Sequence, residues 1–203
     1  MYRLFFKRVI DLFISIILLV LTFPLILMVT ILLAIVNRGT PFFTQKRPGK
    51  DEKIFEIIKF RTMTNEKDVN GVLLPDKDRL TRIGRLVRKL SIDELPQLLN
   101  VVKGEMSLIG PRPLLVKYLP YYRDDEKIRH NVRPGITGYA QVKGRNALGW
   151  DERLRLDQYY VKNLSFQLDL NIVLMTLYAV FSSKDVVEDP RSVMNDLDVE
   201  RSV

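Results

Sequence analysis

The chain of 203 residues has no cysteine and a single histidine, His130. Disulfides, thiolate nucleophiles and thiolate metal sites are therefore excluded, and one imidazole cannot assemble a multi-histidine metal centre. His130 is expected to be a packed or surface residue, not a catalyst. The P-loop, the GxGxxG turn and the GxSxG elbow are all missing, as are internal repeats. Chemistry here has to run on carboxylates and arginines, with or without a hard metal. The length suits one domain with a real core and leaves little for a second.

What the chain does have is positive charge, unevenly placed. There are 32 basic and 24 acidic residues, a net +8. Within residues 1–50 the basic groups Arg3, Lys7, Arg8, Arg38, Lys46, Arg47 and Lys50 face Asp11 alone, so most of the excess lies there. Basic charge beside a long apolar run points to a phospholipid membrane and not to nucleic acid. A solvated basic face is the plainer alternative.

That apolar run, Leu12 to Val36, holds 25 residues without a charge, enough in helix to cross a hydrocarbon core of ~30 Å. It is too long for a signal peptide, and no small-x-small cleavage site follows it. Two topologies stay open. Length alone favours a straight spanning helix. Against it, Pro24 sits at the midpoint and removes a backbone donor, which favours a kink; Thr22 can offer its hydroxyl to a freed carbonyl. Basic residues flank both ends, so the positive-inside bias is nearly a tie. A bent helix with both ends in the cytosol fits that tie.

Further along, Ile54–Met63 reads as a strand and 65–78 as a polar loop. Leu80, Ile83, Leu86, Val87 and Leu90 fall at helical spacing, with Arg82, Arg85, Arg88 and Lys89 on the other face. Asp93–Val102 reads as a short helix ended by Gly104. Residues 107–113 and 132–146 are turn-rich, and 151–161 reads as a helix. Phe166–Phe181 is apolar but too short to span; it is either a core helix or one lying in the membrane interface, with the core preferred. Residues 184–203 carry six acids against three bases and read as a loose polar tail.

The sharpest chemical constellation is Ser91-Ile92-Asp93-Glu94-Leu95-Pro96. In the plainer reading Asp93 caps a helix, Glu94 complements its dipole and Pro96 occupies the first turn. In the functional reading the helix start and the nearby Arg85, Arg88 and Lys89 keep Asp93 ionised, so it can accept a phosphoryl group. A second constellation places arginines in rigid turns: Arg112 between two prolines, Arg133 before Pro134-Gly135, and Arg145 between Gly144 and Asn146. A guanidinium fork matches phosphate oxygens. The acidic stretches Asp76-Lys77-Asp78, Asp124-Asp125-Glu126 and Asp151-Glu152 are read as solvated or helix-start acids and not as metal sites.

Together these stretches resemble the monotopic phosphoglycosyl transferases, the bacterial sugar transferase family, in its small form. The likeness runs from Lys7-Arg8-Val9-Ile10-Asp11 to about residue 180, through FTQKRPGK at 43–50, KFRTM at 59–63, SIDELPQLLNVVKGEMSLIGPRP at 91–113 and VRPGITGYAQVKGRN at 132–146. It implies a mainly α, α/β fold: a re-entrant membrane helix at 1–40 bent near Pro24, a catalytic domain at 41–183 with amphipathic interfacial helices, and a polar tail at 184–203. Family members often carry serine before that proline; here it is Phe23. The resemblance also implies that Asp93 is the nucleophile and that Glu94 helps hold Mg²⁺. Lys59, Arg61, Arg88, Arg112, Arg133 and Arg145 are the substrate-binding candidates, and Lys7, Arg8 and Pro24 the membrane ones.

The implied reaction moves a sugar-1-phosphate from a UDP-sugar to polyprenyl phosphate, on the cytosolic face of the bacterial inner membrane. Asp93 attacks the sugar-proximal phosphorus, UMP leaves, and the lipid phosphate then takes the phosphosugar. Two rivals are a non-catalytic scaffold that binds anionic lipid and a phosphatidyl-type transferase with several spans. The second is disfavoured because only one segment is long enough to span.

Overall fold

A computed structural model describes residues 1–144, 148–181 and 195–202; Arg145 and tail residues 184–194 lie outside the described residues. The fold is mainly helical α/β with small sheets. Tyr2–Phe6 forms a wide turn that runs straight into α1 (Lys7–Val36). Among the described residues α1 is the one helix long and apolar enough to cross a membrane. It continues through Pro24, which has no N–H for the carbonyl of Val20. Thr22 does not fill that gap as expected, because its hydroxyl donates to the Leu18 carbonyl at 2.6 Å.

Both ends of α1 meet the core, while its middle does not. At the start, Lys7 Nζ donates to Asp169 Oδ2 at 2.8 Å, where the hydroxyls of Tyr2 (2.6 Å) and Tyr160 (2.7 Å, to Oδ1) also converge. Asp11 accepts from Ser107 Oγ at 2.7 Å, and Arg8 donates to the carbonyls of Val101 and Val102 at the end of a core helix. Lys7 and Arg8 were expected at lipid headgroups. Both are instead engaged by the core, since a buried cation needs a fixed partner and Asp169 supplies one for Lys7. At the other end Val29 and Leu33 pack with Phe60 and Val87, and Asn37 Nδ2 donates to the Arg61 carbonyl at 2.7 Å. Between these contacts Phe13, Val20, Leu21, Phe23 and Leu27 are exposed.

The core begins with an antiparallel hairpin, β1 (Phe42–Pro48) and β2 (Ile54–Phe60). β2 stops three residues before the expected Met63, which pairs only with Leu80 in an isolated bridge. After the short α2 (Asp76–Arg79), Thr81 caps α3 (Arg82–Lys89) by accepting from the Gly84 N–H at 2.9 Å. A Cβ at Gly84 would stand 2.0 Å from the Thr62 carbonyl oxygen, so only glycine lets α3 lie against the chain leaving β2. The apolar stripe of α3 divides: Val87 is buried with Ile83 beside it, whereas Leu86 and Leu90 are exposed among Arg82, Arg85 and Lys89.

Helix α4 (Gln97–Lys103) ends at Gly104, whose φ of +88° suits the left-handed cap. Buried Asn100 fastens α4 to β2: it accepts from the Ile58 N–H and donates to the Glu56 carbonyl. Strands β3 (Ser107–Ile109) and β4 (Gly135–Thr137) form a short parallel pair. Then follow α5 (Tyr139–Gly144), α6 (Trp150–Lys162) and α7 (Phe166–Phe181). The preference for α7 as a core helix is not met. Ile172 is fully buried, but Phe166, Leu170, Leu174, Leu177 and Tyr178 are exposed.

The end of the tail is not loose. Leu197, in α8 (Leu197–Glu200), is fully buried against Leu114, Tyr118, Tyr122, Trp150 and Leu154. Arg201 bonds both oxygens of buried Glu126, and Trp150 Nε1 donates to the Asn195 carbonyl at 2.9 Å. Alternating polarity hid this contact, since a single apolar residue carries it.

Candidate active site

Ser91, in the left-handed region at φ 56°, turns the chain out of α3 into one tight turn, Ile92–Glu94. A non-glycine residue there is uncommon, and such backbone gathers at functional sites. Pro96, not Asp93, occupies the N-cap of α4, and no side chain caps that helix. The capping reading of Asp93 therefore falls. Beneath the turn Ile92 packs against the cluster of Val29, Leu33, Phe60 and Val87, so the residue before Asp93 rests on the core that also holds the end of α1.

Glu94 is the anchor of the site. Lys59, near the end of β2, donates to its Oε1 at 2.6 Å, and Arg112, from the turn after β3, donates to the same oxygen at 2.8 Å. Burial by itself would raise the Glu94 carboxyl, but Arg112 and Lys59 outweigh it and hold the group well below the usual carboxylate range. Its other oxygen takes no bond from a described residue.

Asp93 is half-buried and accepts no hydrogen bond from a described residue. Burial, then the charge of Glu94, pushes it up to about 6, against the pull of Lys59, Arg88 and Arg112. Of the basic neighbours expected to keep Asp93 ionised, Arg88 does act in that direction, joined by Lys59 and Arg112, but burial and Glu94 outweigh them. Arg85 and Lys89 are exposed on α3, whereas Arg88 is held by its Nε bond to Thr62 Oγ1 at 2.8 Å. At neutral pH Asp93 is still mostly ionised, and its lone pairs are uncommitted.

These features lie inside a match to a known family: residues 2–183 fit the bacterial sugar transferases. The chain belongs to that family. A Bacillus subtilis member named "Uncharacterized sugar transferase EpsL" is 54% identical, over 89% of each chain. The "UDP-N-acetylgalactosamine-undecaprenyl-phosphate N-acetylgalactosaminephosphotransferase" of Aeromonas hydrophila is 41% identical over 88% of this chain, which spans 44% of that longer protein. "Exopolysaccharide production protein ExoY" of Sinorhizobium fredii is 38% identical, over 88% of this chain and 86% of its own.

Of the candidates read from sequence, this sugar transferase brings together Asp93, Glu94, Lys59, Arg88 and Arg112. Arg133 is not among them: its Nε donates to the Gly104 carbonyl at 2.7 Å, at the far end of α4. Arg61 lies just beyond β2, with its Nε sealed and without a bond among the described residues. Arg145 lies outside the described residues. Thr62 is the positioning residue that sequence reading passed over, although it stands inside the quoted KFRTM stretch. Two of the three acidic stretches are engaged in ion pairs: Asp124 with Lys127, Glu126 with Arg201, Asp151 with Arg201 and Arg123, and Glu152 with Arg155. His130 is buried edge-on to Tyr122, and burial followed by Arg129 lowers it to about 4, leaving it neutral.

Proposed function

We propose that the protein transfers a sugar-1-phosphate from a UDP-sugar, of the N-acetylated or deoxyamino type, to undecaprenyl phosphate. UMP is released, and the transfer is the first membrane step of glycoconjugate assembly. The observation that carries this reading is the contrast within one dyad. Glu94 is pinned by two cations, while its neighbour Asp93 is left unbonded and, though raised to about 6, mostly ionised at neutral pH.

In this mechanism Lys59 and Arg112 hold Glu94 and present positive charge to the donor diphosphate. Asp93 attacks the sugar-proximal phosphorus as the bond to the bridging oxygen breaks, and UMP departs with that oxygen. Arg88 faces the same centre and balances charge on the phosphoryl oxygens. The lipid phosphate then attacks the aspartyl phosphosugar, forming the polyprenyl diphosphate sugar and regenerating the carboxylate. The acceptor is already largely ionised and needs little help from a base.

Mg²⁺ fits the donor set. No group of three metal-ligating side chains occurs among the described residues, but Mg²⁺ is commonly held by one or two carboxylates with substrate phosphates and water. The free oxygen of Glu94, beside Asp93, offers such a foothold. When bound, the ion would neutralise charge on the leaving diphosphate.

The re-entrant form of α1 is supported by its contacts. Its two ends touch one core and its exposed middle carries the apolar surface, as an arch dipping into the cytosolic leaflet of the inner membrane would. The exposed faces of α3 and α7 suit helices resting at that interface. A panel of UDP-sugars offered with undecaprenyl phosphate, scored by UMP release, tests the function. No release from any donor would overturn it.

A further inference from the structure

Tail residues 195–202 lie beyond residues 2–183, the stretch that fits the family, yet they dock against the chain that follows Arg112. Leu197 is fully buried in one cluster with Leu114, Tyr118, Tyr122, Trp150 and Leu154, and Leu114 stands two residues after Arg112. Polar bonds tie the segment down around that leucine. Lys117 Nζ donates to Asp196 Oδ2 at 2.9 Å and to Asp198 Oδ2 at 2.8 Å. Trp150 Nε1 donates to the Asn195 carbonyl at 2.9 Å, and Arg201 Nη1 donates to the Tyr121 carbonyl at 2.8 Å.

A buried acid of the core takes its counterion from this segment. Arg201 bonds the two carboxylate oxygens of buried Glu126 at 2.6 and 2.8 Å and reaches Asp151, the second residue of α6, at 2.7 Å. Among the described residues the other contacts of that carboxylate are the Arg123 N–H at 2.8 Å and the Arg123 guanidinium at 3.9 Å. Removing the paired cation from a buried carboxylate is strongly destabilising. The core is therefore built to hold the segment.

From there a short series of contacts leads to the dyad. Tyr122, in the Leu197 cluster, accepts from Arg129 Nη1 at 3.0 Å, and Arg129 Nη2 donates to the Arg112 carbonyl at 2.7 Å. Asp157 on α6 fixes Arg129 at 2.9 Å. The Arg112 side chain is partly exposed and reaches Glu94 Oε1 through Nη2 at 2.8 Å, so its aim depends on where its backbone is held. Groups that the tail packs on, Tyr122 and Leu114, do that holding.

We propose that residues 195–202 form a latch that positions Arg112 on Glu94, with Leu197 and Arg201 as its positioning residues, an inference that rests on the function proposed above. Neither residue touches substrate. Each acts through the Leu114–Tyr122 stretch, and an opened latch leaves Arg112 free to drift from the donor diphosphate. Small misplacements of a binding group far from the point of change are costly in rate.

The test uses the full chain in detergent micelles and compares Arg201→Gln, Arg201→Lys and Arg155→Gln with wild type. Trp150 is the only tryptophan of the chain, so its emission reports whether the segment is seated. Side-chain ¹⁵N NMR follows the Arg112 guanidinium, assigned by its loss in Arg112→Lys. Arg201→Gln should shift Trp150 emission to the red and move the Arg112 signal toward that of free arginine. Donor KM should rise and kcat fall about tenfold or more, with KM for polyprenyl phosphate unchanged. Arg201→Lys keeps a cation on Glu126 and should restore most of each value, and Arg155→Gln should change none. A red shift with the Arg112 signal in place and donor constants within about twofold of wild type would make the docking purely structural and overturn the latch. Unchanged Trp150 emission would also overturn it, because Arg201 would then not hold the segment. If Arg201→Gln does not fold, Leu197→Ala, which keeps every ion pair, decides on the same readouts, and no change in any of them overturns the proposal. If wild type turns over no UDP-sugar, the functional reading falls, and the Arg112 signal decides the latch by itself.

Discussion

Lys59 Nζ lies 2.6 Å from Glu94 Oε1, which joins the end of the β hairpin to the turn that carries Asp93. Burial lowers Lys59, Glu94 raises it again, and the pair stays charged because each partner supplies what the other lost from water. The bond sets where Glu94 points and leaves its neighbour free. The predictions below draw on that arrangement.

Asp93→Asn should abolish turnover and yet stabilise the protein. Raising a carboxyl from an ordinary 3.8 to about 6 means that the folded state holds its proton more tightly than the unfolded chain. Stability from this group is therefore present in acid, declines as pH rises through about 4 to 6, and is missing at neutrality. The amide removes that penalty, a gain of about 1–2 kcal/mol after discounting for solvent screening. Thermal melting at pH 7.5 should move up by a few degrees. A lower melting temperature would mean that Asp93 has a structural role.

The first half-reaction should lose rate in acid. With donor alone, the titration of the lipid phosphate does not intrude, so the UMP burst reports Asp93 directly. Its rate should fall as pH drops through about 6, in step with protonation of Asp93. The same incubation should add a sugar-phosphate mass to the peptide containing Asp93. UMP that appears only with lipid present, and no adduct, would favour direct transfer.

Glu94→Gln should cut turnover about 100-fold, the usual scale for losing one fixed electrostatic element, while the protein still sediments with membranes. The charge that balances Lys59 and Arg112 goes, and with it the free oxygen proposed to hold Mg²⁺. EDTA should silence the wild type, and Mg²⁺ should restore it. Full activity in EDTA would remove Glu94 from metal binding.

Arg3 is exposed and precedes α1, and Asp124 is exposed on the core. The chain has no native cysteine, so Arg3→Cys and Asp124→Cys can be probed singly with an impermeant thiol reagent. Neither should label from outside intact cells. Labelling of Arg3→Cys alone would establish a spanning helix and refute the arch.

Leu197→Ala should destabilise by about 2–4 kcal/mol, as for a fully buried leucine. Melting of the purified chain checks this. An unchanged melting temperature would mean that the docked segment adds nothing to the core.

Much of the local structure was legible in the sequence because local rules decide it. The charge-free run specified α1, β-branched residues specified β2, and Gly104 marked the end of α4. The dyad stood out because two adjacent carboxylates before a proline are conspicuous in one dimension. What the sequence left open was which partner each charged group finds, since that depends on residues far apart along the chain. Lys7 read as a membrane residue until Asp169, 162 positions away, claimed it. Arg133 looked equivalent to Arg112, but the turn geometry sends one to the Gly104 carbonyl and the other to Glu94. Asp93 looked like a cap until Pro96 took that place. Composition and periodicity determined the elements. Only tertiary packing, through burial and the cost of an unpaired charge, decided which carboxylate is pinned and which is left without a bond among the described residues.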